Sequence, residues 1–157
     1  MLESLQSFTQ SLPEWLQWFG VMVIGAIPFL EGFLATVTGI IVGVWPPIAI
    51  AAAIAGNMIA IFVCVLLADT IRSRFINDDH KGNEEKTQRL HVLFEKYGTP
   101  GVTLVGNFII PSHLVAVALI GFGVSRERVL IWQFISITLL AAVFGTLTAF
   151  GVDFLSN

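Results

Sequence analysis

Charge is scarce in this chain. Only 12% of its 157 residues are Asp, Glu, Lys or Arg, against about 25% in an ordinary water-soluble domain. No Lys or Arg precedes Arg72; six lie between Arg72 and Lys96, and the other two are Arg126 and Arg128. With a formal net charge of -3, no basic stripe meets a phosphate backbone, which excludes nucleic acid as a partner. Cysteine is nearly absent: Cys64 stands alone in an apolar stretch, so there is no disulfide framework and no Cys-rich metal site. His80 and His91, beside Asp78 and Asp79, lack the spacing of metal ligands and read as a solvated loop. No HExxH, phosphate loop or nucleophile-base constellation occurs. The chain is therefore expected to be no enzyme and to hold no metal and no cofactor.

Apolar surface is what abounds. Hydrophobic residues make up 55% of the chain and mean hydropathy is +0.84, the composition of an all-α integral membrane protein. Segment lengths then decide the topology, because a helix crossing the hydrocarbon core needs about 20 residues. Pro47 to Ala68 and Val129 to Phe150 are 22 residues each and are full spans. Trp15 to Ile27, Phe33 to Val44, Val102 to Ile110 and Leu114 to Val124 are about half that length, the first pair meeting at "PFLEG" and the second at "PSH". If both pairs are re-entrant hairpins, the chain crosses only twice and all eight basic residues share the cytoplasmic side, as the positive-inside rule prefers. Both termini then lie outside, and Trp15, Trp18 and Trp45 gather as an aromatic belt at one interface.

Four regions follow. Residues 1–14 form an N-terminal amphipathic helix, with Leu2, Leu5, Phe8 and Leu12 on one face. They carry no Lys or Arg and so lack the charged region of a secretory signal. "SLPE" offers Ser11 as the N-cap of the next helix. Residues 15–68 form a first repeat, 69–100 a cytoplasmic loop with an amphipathic helix carrying Leu90, Leu93, Phe94 and Tyr97, and 101–157 a second repeat. "AIPFLEGFLATVTGIIVGVWPPIAI" lies over "IIPSHLVAVALIGFGVSRERVLI", with Ile27-Pro28 on Ile110-Pro111 and Val42-Gly43-Val44 on Phe122-Gly123-Val124; the offset drifts from 83 to 80. Each copy is one hairpin plus one crossing, so the second enters from the opposite face, an inverted repeat.

Glu31 is the only charged residue between Trp15 and Ala68. Pro28, Glu31 and Gly32 mark the first hairpin turn, and Pro111, Ser112 and His113 the second. Irregular backbone at membrane depth must be buried in protein or line a wet cavity. The two tips are therefore expected to face each other, with Glu31, Asn57, Asn107 and His113 forming one site for substrate and protons. Each residue also has a plainer reading. Glu31 caps a half-helix, His113 caps the helix after Pro111, and Asn57 and Asn107 are interhelical hydrogen-bond glue. Ser136 and Thr138 bond back to their own helix. Gly39, Gly43 and the run from Ala51 to Gly56 read as small-residue packing faces, and so small a chain points to a homodimer.

"PFLEGFLATVTGIIVG" resembles the first re-entrant motif of the DedA or VTT membrane proteins, in which a Pro-rich turn and a glutamate precede a Gly-containing half-helix. "FEKYGTPGVTLVGNFIIPSHLVAVALIGFGVSRERVLIWQF" is similar to that family's second motif, roughly G-R-F-x-P-x-x-R followed by a Gly and a polar turn. The resemblance covers about residues 25–150. It implies two facing re-entrant hairpins and transport or flipping of a lipid or small molecule, often coupled to protons, with Glu31 at the family glutamate. Asn107 stands where the motif carries arginine, and His113 stands near the second arginine. Those guanidinium groups suit an anionic headgroup, so the substrate class stays open. A related resemblance, through the Ile-Pro turns and Gly56-Asn57, is to the small multi-drug export proteins. The expected activity is proton-coupled transport of a lipid or small molecule in a multi-pass protein of a bacterial or archaeal inner membrane, with membrane lipids as partners. Passive lipid scrambling, multidrug-export-like activity and a non-transporting scaffold are the alternatives.

Overall fold

In hydrocarbon every backbone N-H and C=O needs a partner, and a helix supplies it from its own segment. The computed structural model describes residues 2–27, 30–75 and 84–156, and among them every regular element is helical. In chain order these are α1 (Leu2–Gln10), a 3-10 turn (Glu14–Leu16), α2 (Gln17–Ala26), α3 (Gly32–Val42), α4 (Pro46–Phe75), α5 (Glu84–Ile109), α6 (Ser112–Gly121) and α7 (Arg126–Ser156).

The lengths fall into two classes. Pro46–Ala68 of α4 and Arg126–Phe154 of α7 are long and apolar enough to cross a membrane, and only 33% and 28% of their most apolar stretches is buried. A core helix of a water-soluble protein would be covered instead. Here Ile59, Phe62, Phe134, Leu147 and Phe150 are exposed, a surface suited to lipid rather than water. By contrast α2, α3 and α6 have 10, 11 and 10 residues, or about 15–17 Å at 1.5 Å per residue. α5 is interrupted at Gly98, whose φ of 64° and ψ of -166° are not helical. Its second segment, 99–109, is another half-length helix. Pro100 sits in the first turn of that segment, where its missing N-H has no helical partner to lose.

Two compact units emerge: Met1–Ala60 with Ile137–Asn157, and Ile61–Ser136. Both divisions fall inside long helices. Unit 1 therefore holds α1, α2, α3, the first half of α4 and the second half of α7. Unit 2 holds the second half of α4, α5, α6 and the start of α7.

Unit 1 packs through small residues. A Cβ on Gly25 of α2 would lie 2.7 Å from the Ala53 carbonyl oxygen of α4, and one on Gly56 would overlap the Met22 carbonyl. Val21, Ile24, Ala35, Ile40, Ala49 and Ala53 close the core around this approach. α1 packs on α2 and α3, with Leu5 against the core. Its inward face centres on Thr9, which is fully buried, while Phe8 is exposed. Of the expected Leu2–Leu5–Phe8–Leu12 face, Leu5 and Leu12 take part in this packing and Phe8 does not; Thr9 donates its hydroxyl proton to the Leu5 carbonyl at 3.0 Å, which satisfies the hydroxyl where it is buried beside Gly20.

Ser11 does not cap the next helix. Its hydroxyl donates backwards to the Phe8 carbonyl at 2.7 Å, Pro13 takes the cap position of the 3-10 turn without a side-chain bond, and α2 begins at Gln17. The polar loop is shorter than expected, since α4 runs to Phe75 and α5 starts at Glu84.

The two half-helices after the turns end identically. In α3, Gly43 at φ 103° donates to the Ile40 carbonyl, and Val44 to that of Gly39. In α6, Gly123 at φ 88° donates to Ile120, and Val124 to Leu119. Both are left-handed caps that glycine adopts without steric cost. Their starts match at the same spacing: the Glu31 carbonyl accepts from Leu34 and Ala35, and the Pro111 carbonyl from Leu114 and Val115. One offset of 80 therefore relates both ends, so Glu31, not Pro28, is the counterpart of Pro111. The expected drift from 83 is unnecessary; Pro28 itself lies outside the described residues. A Cβ on Gly43 would meet nothing within 4 Å, so close packing does not demand glycine there; the positive φ does.

Candidate functional site

Each unit has a half-helix that begins at a polar turn and a long helix that brings an amide side chain to it. In unit 1, Glu31 is the N-cap residue of α3, with extended backbone (φ -65°, ψ 147°) and no side-chain capping bond. It is half-buried. Glu31 thus occupies the cap position without its carboxylate performing the capping. The next residue, Gly32, is buried, and a Cβ there would lie 3.0 Å from Nδ2 of Asn57. Asn57, fully buried on α4, therefore stands against the first turn of α3. Thr36 closes that turn by donating to the Gly32 carbonyl at 2.9 Å.

Unit 2 is more elaborate. Asn107 Nδ2 on α5 donates to Gln133 Oε1 at 2.8 Å and to Ser136 Oγ at 3.0 Å, both on α7. Gln133 Nε2 donates to the Ser112 carbonyl at 3.2 Å, and Ser136 Oγ to the Thr103 carbonyl at 3.1 Å. Two backbone carbonyls can only accept, and that fixes every amide orientation. Ser136 must give its proton to Thr103 and so accepts from Asn107; Gln133 must turn its NH₂ to Ser112 and so offers Oε1 to Asn107. Both Asn107 protons are then committed, and Asn107 Oδ1 presents lone pairs only.

Asn107 Oδ1 has no partner, and neither does either ring nitrogen of His113. Both residues are 4% exposed. His113 does not cap α6, whose N-cap is Pro111 and which has no side-chain capping bond. An imidazole and an amide oxygen buried without partners are costly, and both adjoin the break between α5 and α6. Among the described residues, the buried polar ones of this unit are Thr99, Thr103, Asn107, Ser112, His113, Gln133 and Ser136. None carries a formal charge when His113 is neutral.

Of the residues read from sequence, Glu31, Gly32 and Asn57 meet at the turn of unit 1, and Asn107 and Ser112 are joined in unit 2 through Gln133. His113 is the residue after Ser112. Asn107 is interhelical glue through its NH₂ group. Ser136 does not bond back to its own helix but reaches α5, and Thr138 Oγ1 has no partner. Gln133 was absent from the sequence reading, although Val129, Gln133, Ser136, Ile137 and Leu140 form a buried stripe at helical spacing. No family model, curated protein or solved structure matches this chain.

Proposed function

We propose that this chain is a small membrane carrier that moves a small molecule or lipid together with protons, built as an inverted repeat of two re-entrant hairpins and two full crossings. The observation that carries the reading is the unit 2 turn, where an acceptor oxygen and an imidazole are buried without partners at a helix break. Broken helices in transporters place substrate and coupling ions at such ends, and polar groups inside a membrane are functional by default. Glu31, the one charged residue in 54 consecutive positions from Trp15 to Ala68, is the proton-carrying candidate of unit 1.

The hairpin topology is supported by three observations. The half-helices are half the membrane thickness. Each hairpin shares its unit with only one half of each long helix. The two half-helices share caps at one offset. The DedA or VTT resemblance agrees with this plan, while the neutral amide and hydroxyl groups around the described unit 2 turn favour a substrate whose bound group is not anionic.

Flux across liposomes containing the purified chain tests the function, with candidate lipids and organic cations, with and without a pH gradient. Glu31→Gln keeps size and hydrogen bonding but cannot ionise, so it is expected to abolish gradient-driven accumulation and spare exchange. His113→Asn is expected to shift the pH optimum. A folded Glu31→Gln variant that accumulates substrate as well as the parent refutes the proton role. Lipid movement indifferent to the gradient identifies a scramblase instead.

A further inference from the structure

The open end of the first hairpin, entirely within unit 1, holds a cleft of about 520 Å³ between the 3-10 turn and the end of α3. Trp15, Trp18 and Trp45 line it together with Glu14, Gln17 and Gly43. The three indoles are 73%, 42% and 65% exposed. An aromatic belt requires only that indoles share one depth; here they surround one concavity.

Its electrostatics have a single sign. Glu14 is the only formally charged residue lining the cleft, and no Lys or Arg occurs before Arg72. The backbone adds little: α3 ends at the cleft, but its Gly39 and Ile40 carbonyls accept from Val44 and Gly43. The positive end of α4 is nearby but muted: Pro46 and Pro47 have no N-H, and the N-H groups of Ile48 and Ala49 are taken by the Trp45 carbonyl. Three indole side chains and one carboxylate lining a single concavity are the side-chain types that recognise a quaternary ammonium group. The volume lies in the range of small-molecule sites.

We propose that this cleft binds a quaternary ammonium group, supplied either by a choline-type lipid headgroup or by a soluble organic cation. The cleft shares no lining residue with either polar turn, so its failure leaves the carrier reading untouched, and the reverse holds too.

Calorimetric titration of the full chain in uncharged maltoside micelles tests it, using tetramethylammonium, choline and 3,3-dimethylbutan-1-ol, the neutral isostere of choline. Both cations are expected to bind one site, and the isostere at least about tenfold more weakly, since it lacks the charge that the ring faces attract. Trp15→Leu and Trp45→Leu each weaken the cations about two- to fivefold, Trp15→Phe restores part of that loss, and Glu14→Gln weakens them and flattens the salt dependence. Trp132→Leu, outside the cleft, is the control. Nanodiscs separate the sources: a lipid headgroup in the cleft removes the tetramethylammonium titration in phosphatidylcholine but not in phosphatidylglycerol, whereas a site for soluble cations titrates in both. Equal affinity for choline and its isostere overturns the proposal. So does a loss on Trp132→Leu as large as that on Trp15→Leu or Trp45→Leu.

Discussion

Replacing Gln133 with leucine should damage the fold more than replacing Asn107, although each side chain makes two hydrogen bonds in the same network. Gln133→Leu removes the bonds to Asn107 and to the Ser112 carbonyl. Interhelical bonds in membrane proteins average about 0.6 kcal/mol each, so the pair is worth about 1.2 kcal/mol. The substitution also strands one Asn107 proton in a buried position, adding about 1 kcal/mol or more, for a total of about 2–3 kcal/mol. Asn107→Leu also deletes two bonds; it recovers about 1 kcal/mol by removing Oδ1, a buried acceptor without a partner, and loses a similar amount by leaving the buried Gln133 Oε1 without its donor. Its net cost is about 1 kcal/mol. The double variant loses three bonds, removes the unpartnered Oδ1 and strands neither the Asn107 proton nor Gln133 Oε1, so it should cost about 1 kcal/mol, less than Gln133→Leu alone, with a coupling of about 2–3 kcal/mol. Equilibrium unfolding in mixed detergent micelles, followed by circular dichroism, measures all three. The reasoning is refuted if Asn107→Leu costs more than Gln133→Leu, or if the two effects add.

Other outcomes follow from the backbone. Gly56→Ala should cost about 1–3 kcal/mol, because its methyl group overlaps the Met22 carbonyl and forces α2 away from α4. Gly151→Ala, in open space on α7, should be neutral or stabilising by up to about 1 kcal/mol in the same unfolding assay. Gly43→Ala should cost about 1–2 kcal/mol despite the empty space around it, because φ is 103°, and Gly43→Asn should cost less; equal losses at Gly43→Ala and Gly121→Ala would contradict this. For topology, Ser4→Cys in a Cys64→Ser background should react with an impermeant thiol reagent on intact cells while Gly82→Cys stays protected until lysis. Labelling of Gly82→Cys from outside would reject the hairpin topology.

Segment length was the most legible signal, because helix rise and membrane thickness are both fixed quantities. The division of spans and half-spans read from sequence reappears in α2, α3, α4, α6 and α7. The glycine caps were legible as a repeat, since only a few residue types tolerate positive φ. Register at the turns was not. Ile-Pro matched Ile-Pro by eye, yet the hydrogen bonds equate Glu31 with Pro111, because what a half-helix start requires is an extended residue with a free carbonyl and not a particular side chain. Ser136 was misread for a related reason: a hydroxyl can satisfy itself locally, as Thr9 does, or across a helix pair, and only the neighbouring backbone decides. Gln133 stood in plain view on a periodic face, but without its partners nothing separated it from a lipid-facing amide near the helix start.

Four side-chain hydrogen bonds of unit 2 form two arms that run outward from one atom, Asn107 Nδ2. From the Asn107 amide one arm passes through Ser136 to the Thr103 carbonyl, the other through Gln133 to the carbonyl of Ser112. Any donor that reaches Oδ1 draws electron density toward itself and makes Nδ2 more acidic, so both arms shorten and strengthen together; such polarisation is worth about 10–30% per bond. A single contact at Oδ1 thus acts as a clamp, tightening α5 and α6 against α7 at once, and its withdrawal slackens both arms in the same step.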